Sequence, residues 1–254
     1  MKNEHSQATT FINRLSDEVF NSTAVNHPYL QALGDGNFPD INYAFKDFAL
    51  QYGLYNTQFI SYLSAVIGNL SSSEHRKILE SNLAEEEGHI QDIDLPPDVL
   101  ASIKKQSHTQ LYSRFQEALG VDSNNSETIP ENSPGLVWSH HFLHLCEMNE
   151  YVGVGAIGIG TELIVSKIYN QILLGLETHS NLTLTQRVFF DLHSECDEEH
   201  AAQLLSIAKD LGNDNNSCEQ IEYGVTMAIK LRSMFWDNML ERAQNFSATS
   251  TLNA

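Results

Sequence analysis

The sequence predicts an all-α protein of about seven helices in a single domain. Three observations carry this. Apolar residues recur at spacings of three and four along most of the 254-residue chain. No run alternates as a half-buried strand would, and no Asn-Gly pair offers a hairpin turn. Several apolar-periodic segments open on a serine or threonine and stop at a glycine. Hydrophobic residues make up 41 %, enough to bury a large interior. The expected division is an N-terminal helix and loop over 1–40 that packs on the rest, a helical bundle over 41–246, and a disordered tail over 247–254.

In chain order, the first helix covers "TTFINRLSDEVF", and Gly34, Gly36 and Pro39 of "LGDGNFPD" interrupt it. That segment lacks the closing glutamate of a calcium loop and carries Pro39, so calcium is not expected there. A long helix runs from Asn42 to Ile67, with Phe45, Phe48, Tyr52, Tyr55 and Phe59 as a core-facing stripe. "SSSEHRKILESNLAEEEGH" opens with a serine cap and a glutamate and ends near Gly88. "DIDLPPDVLASIKKQ" is an irregular excursion with one short helix, "HTQLYSRFQEALG" is a helix closed by Gly120, and "VDSNNSETIPENS" is a polar loop.

Ser133 and Pro134 start another long helix, in which Gly153, Gly155, Gly158 and Gly160 let a neighbour approach closely. Its most apolar run, Tyr151 to Val165, contains Glu162 and falls short of the about 20 residues a bilayer span needs, so it reads as a buried helix. A helix from Thr183 to Leu211, stopped by Gly212, and a last amphipathic helix over "SCEQIEYGVTMAIKLRSMFWDNMLERA" complete the bundle.

Fourteen Lys and Arg against 33 Asp and Glu give a formal charge of −19, which repels phosphate backbones and anionic membrane surfaces. Nucleic acid and membrane are therefore not expected as partners. Cys146, Cys196 and Cys218 are widely spaced and form no Cys-x-x-Cys pair, which suits a reducing compartment. The start "MKNEHSQATTFINRL" lacks the basic opening and apolar core of a signal peptide, so a cytoplasmic location is expected.

The stretch "HSECDEEH" places chemistry in the apolar stripe of its helix. At about 100° per residue, Asp197 and His200 fall about 40° and 20° to either side of His193, in the sector that also holds Phe189 and Leu204. An unpaired carboxylate buried there is costly unless it is paired, protonated or bound to a metal. Two imidazoles and a carboxylate suit iron, manganese or zinc better than calcium or magnesium. The triplet alone is equally compatible with a His–Asp hydrogen-bonded cluster or a solvated helix face.

Glu162, in its glycine-rich apolar helix, is a second candidate ligand; a core hydrogen bond to a tyrosine is the alternative. Glu86 and His89 share one face at the end of "LAEEEGH", as in the carboxylate–histidine pairs of di-iron bundles, although charge runs at helix ends are commonly solvated. His108 opens its helix, from where an imidazole reaches a bundle interior. His140, His141 and His144 are rich in ligand atoms but lack a matched carboxylate on an apolar face.

Together, "NLAEEEGH", "HTQLYSRFQEALG", "GIGTELIVSKIYNQI" and "HSECDEEHAAQLL" resemble the haem-oxygenase-like di-iron oxidase superfamily, which includes iron-containing redox enzymes and the Chlamydia death-domain-associating protein group. The likeness spans roughly residues 40 to 210. It implies a haem-oxygenase-like up-and-down bundle and a ligand set of Glu86, His108, Glu162, His193, Asp197 and His200. It further implies two Fe2+ ions with O2 as cosubstrate and a pocket above the metals. The insertion "DIDLPPDVLASIKKQS" separates Glu86 from His108 by more than the family pattern, which leaves His89 as the alternative to His108.

The expected function is a non-haem di-iron oxygenase or oxidase acting on a C–H, C–C or C–N bond of a small molecule, with Tyr52, Tyr55 and Phe59 beside the pocket. The rivals are a metal-free thiaminase-like or quinone-cofactor-biosynthesis-like enzyme, for which Cys146 is the plausible nucleophile, and a non-enzymatic interaction protein. The expected partners are a small-molecule substrate and a second copy of the chain in a homodimer.

Overall fold

The computed structural model describes residues 2–89, 95–122 and 129–246, and within these all side chains except those of residues 2–6 and 194–198. The expected tail over 247–254 lies outside the described residues. Every regular element described is helical. In order these are α1 (Lys2–Phe20), α2 (Pro28–Asp35), α3 (Ile41–Asn56), α4 (Phe59–Asn69), α5 (Ser73–Glu86), α6 (Pro97–Ile103) and α7 (His108–Ala118). There follow α8 (Pro134–Met148), α9 (Glu150–Val154), a π-helical segment (Gly155–Glu162), α10 (Leu163–His179), α11 (Leu184–Leu211) and α12 (Asn215–Asn245).

Three of the expected boundaries are corrected. The segment read as a break, 33–40, begins inside a helix that was not expected: α2, which His27 caps by accepting from the Tyr29 amide at 3.1 Å, with Pro28 in the first turn and Gly36 at φ 67° closing it. The helix expected from Asn42 to Ile67 is two helices. Thr57 turns its hydroxyl onto the Gly53 carbonyl at 2.7 Å, and the chain restarts at Phe59. The helix opened by Pro134 ends at Met148. Asn149 is extended there, and its side-chain oxygen accepts from the amides of Tyr151 and Val152, both at 3.0 Å, to cap the next helix.

The continuous run Glu150–His179, formed by α9, the π segment and α10, is the axis of the bundle. It is long and apolar enough to cross a membrane by length and composition, and 78 % of its apolar window is buried inside the protein. α11 and α12 pack along it, α7 lies on α11, and α3 and α12 both pack on α8. At Gly155 the backbone of α12 comes so near that a Cβ would sit 2.3 Å from the Ile221 carbonyl oxygen. Arg242 of α12 grips Asp47 of α3 with two hydrogen bonds of 2.7 and 2.6 Å, tying both helices at the base of an aromatic core built around Tyr52, Trp138 and Trp236.

Gly155→Ala is therefore expected to destabilise the fold by about 2 kcal/mol or more, because backbone must move to admit the methyl group. Gly68→Ala, with nothing within 4 Å of the added carbon, is expected to be neutral or stabilising by about 0.5 kcal/mol. Equal denaturation midpoints for the two variants would contradict this packing.

Candidate metal centre

Glu86 closes α5, and Gly88 just beyond it adopts φ 100°. A side chain there would collide with the Gln106 carbonyl, 2.8 Å from the position of a Cβ. This contact brings the chain back after the excursion, so that α7 begins beside the end of α5. A reciprocal capping box between Ser107 and Gln110 fixes that start and puts His108 in the first turn. Glu86 Oε2 and His108 Nδ1 are consequently 2.8 Å apart, both side chains buried. The oxygen lies off the N–H direction, so this close approach does not make a well-formed hydrogen bond.

His193, on α11, presents its ring 4.4 Å from that of His108, centroid to centroid. One ligand atom from each of Glu86, His108 and His193 lies within 4.8 Å of the others. His193 Nδ1 is 2.6 Å from the Phe189 carbonyl; a carbonyl only accepts, so Nδ1 carries the proton and Nε2 keeps its lone pair. A metal-binding imidazole is commonly oriented by such a bond.

Glu162 ends the π segment at 8 % exposure. A π turn inside an α-helix shifts the register of the side chains beyond it and is often found at functional sites. His200 is buried and its Nε2 meets Glu85 Oε2 at 3.0 Å. Asp197 lies among the residues whose side chains are not described. His89 is exposed, with Nδ1 2.9 Å from the Ala84 carbonyl, and stands apart from the cluster; His140, His141 and His144 are exposed on α8. Sequence reasoning did not single out Glu85, whose neighbour Glu86 carried the pattern.

The electrostatics follow from burial. Desolvation raises the Glu162 carboxyl to about 7, with Glu86 adding to the rise and His200, His108 and Arg232 opposing it. Burial and the nearby charge of His108 lower His193 to about 3. For the close pair, burial is the largest single influence and disfavours both charges, but the partner and the neighbouring charged groups together outweigh it: Glu86 is held below and His108 above its ordinary value. Above the cluster lies a cavity of about 20 Å³, room for one or two waters. Tyr52, Tyr55, Phe59 and Tyr169 wall it, and Glu86, Glu162 and His193 form its floor. Tyr169 donates to or accepts from Tyr52, hydroxyl to hydroxyl, at 2.9 Å.

A family model described as iron-containing redox enzyme matches residues 46–233. The chain is 22 % identical over 210 residues to a 4-aminobenzoate synthase of Chlamydia pneumoniae, covering 82 % of this chain and 85 % of that protein. Among solved structures, a CADD-like protein of unknown function from Nostoc punctiforme superposes with a TM-score of 0.71 at 17 % identity, over 91 % of this chain and 98 % of that one. A TenA homologue from Pseudomonas syringae gives 0.68 at 14 % identity, over 93 % and 92 %. A domain of unknown function from Shewanella denitrificans with a heme oxygenase-like fold gives 0.64 at 12 % identity, with the same coverages. The fold is thus haem-oxygenase-like.

Because its folded-state pKa is raised, Glu162 costs nothing below the usual 4.5, where folded and unfolded chains both hold the proton, and its penalty grows until the folded chain releases the proton near 7. In metal-free protein, Glu162→Gln is expected to raise stability by about 3 kcal/mol at pH 8, a gain that shrinks steadily as pH falls through 6 to 5. Denaturant melts across this range would contradict the burial account if the gain did not depend on pH.

Proposed function

The chain belongs to the iron-containing redox enzyme family, and from that premise we propose that it is a non-haem di-iron oxidase or oxygenase acting on a small aromatic molecule held in the tyrosine-walled cavity. The observation that carries this reading is the convergence of Glu86, His108 and His193 in a buried compartment, with ligand atoms mutually within 4.8 Å. The donors fit a cation better than they fit one another. His108 Nδ1 makes no well-formed hydrogen bond, His193 keeps a free lone pair on Nε2, and Glu162 is driven to retain a proton that a metal would replace.

In this reading Glu86, His108 and His193 would hold one iron, and Glu162, His200 and Asp197 would serve the second; in the structure His200 pairs with Glu85. When bound, the two ferrous ions supply the electrons that reduce O2. The rest falls to the chain's own groups. The carboxylates offset metal charge, and the bond from His193 to Phe189 fixes its imidazole plane. The packed rings of Tyr52, Tyr55 and Tyr169 exclude bulk water from the reacting centre. The related Chlamydia protein is named a 4-aminobenzoate synthase, and a cavity lined by aromatic rings suits chemistry on a flat aromatic compound.

The metal-free rival with a thiol nucleophile loses support from the structure of Cys146. This residue is fully buried, stands outside the cavity wall, and has its thiol pushed up by burial, away from the thiolate form. An interaction role rests on surface acidity alone.

Anaerobic reconstitution followed by elemental analysis and Mössbauer spectroscopy tests the proposal. Two irons per chain whose signals change on adding O2 are expected, with His193→Ala and Glu86→Ala each losing at least half the iron; preferential zinc binding, or no metal, would overturn it. Cys146→Ala is expected to keep full O2 consumption, and its loss would revive the thiol mechanism.

A further inference from the structure

Arg232 of α12 is 1 % exposed; its guanidinium approaches the Tyr52 hydroxyl, but the geometry completes a hydrogen bond at none of its three nitrogens. It is not salt-bridged among the described residues; its guanidinium lies over the rings of Trp138, at 4.9 Å, and Tyr55, at 5.8 Å. A guanidinium stays charged in a protein, and the Glu162 carboxyl that it acts on forms no salt bridge with it, so much of the cost of burying the charge remains. Cation–π contacts recover only part of that cost. Tyr55 also lines the cavity, where two more buried polar atoms stand without a well-formed hydrogen bond: the Tyr55 hydroxyl and Thr161 Oγ1. These two hydroxyls are neighbours, yet their geometry does not close a bond between them.

We propose that the Tyr55 and Thr161 hydroxyls in the cavity wall, backed by Arg232 beside the Tyr55 ring, form an anion subsite, and that the small aromatic substrate carries a carboxylate bound there, with both hydroxyls donating to it and Arg232 supplying a positive field. This rests on the di-iron reading only for the word substrate; the subsite itself is built from residues that are not proposed ligands. The carboxylate offsets the field of the nearby guanidinium, gives the two hydroxyls their acceptor and leaves the rest of the molecule facing the floor formed by Glu86, Glu162 and His193. A ring does not fit the cavity as it stands, so binding moves a wall residue outward, and half-buried Phe59 at the corner between α3 and α4 is the least enclosed ring of the wall.

The test is equilibrium binding of benzoate and of its neutral isostere benzamide to the full chain, followed by tryptophan fluorescence, since Trp138 stacks on Tyr55. It is run on iron-loaded anaerobic protein and on chelator-treated protein, with iron content measured on each sample. Benzoate is expected to bind at least tenfold tighter than benzamide in both forms. Arg232→Met is expected to weaken benzoate at least tenfold and to leave benzamide unchanged, Arg232→Lys to restore part of the loss, and Thr161→Val to weaken benzoate about threefold. Because an unpaired buried charge is removed, the Arg232→Met chain without ligand is expected to melt no lower than wild type. Should Arg232→Met not fold, Thr161→Val and Tyr55→Phe decide the matter alone. Benzoate no tighter than benzamide, or benzoate affinity unmoved by these changes, overturns the subsite. Iron content reports separately on the metal reading, so either can fail without the other.

Discussion

The desolvation of ionisable groups governs this protein. Glu86, His108, Glu162, His193 and His200 are gathered between helices away from bulk water, and Glu86, His108, Glu162 and His193 show it in shifted protonation equilibria. Protons and mutual attraction satisfy the cluster only partly. One carboxylate is pushed toward neutrality, one imidazole is held neutral and a close carboxylate–imidazole pair is poorly aligned. In the proposed reading cations would replace protons in this set, and that exchange would link the energetics of the interior to oxidative chemistry.

The scaffold holds this arrangement through devices at the ends and interruptions of helices. Gly88 permits the end of α5 to touch the start of α7, and a capping box sets His108 at the head of its helix. The π segment turns Thr161 and Glu162 into the cavity, while Gly155 lets α12 lie close enough to carry Arg232 beside the tyrosine wall. The long uniform helices α11 and α12 supply rigidity, and the irregular points supply position.

Much of this was legible from residue spacing. His193 and His200 stand out because polar groups in an apolar sector break the pattern of an amphipathic helix, and Glu162 because a lone carboxylate interrupts an apolar run. Tyr52, Tyr55 and Phe59 follow from the stripe of α3 and α4, and all three line the cavity. The choice between His89 and His108 was not legible, since it depends on how the excursion folds back at Gly88. Nor was the split at Thr57, where a side-chain bond to the backbone competes with helix continuation, or the aromatic surroundings of Arg232, which come from separate helices. Periodicity reports which face is buried; it does not report what meets it there.

The most direct measurement is anomalous diffraction at the iron absorption edge from crystals of reconstituted protein. Two peaks are expected, one against Glu86, His108 and His193 and the other against Glu162 and His200, with His200 turned from Glu85. A cluster closed by hydrogen bonds in iron-loaded crystals, with anomalous density absent or elsewhere on the surface, would contradict the idea that metal makes this buried meeting of charges favourable.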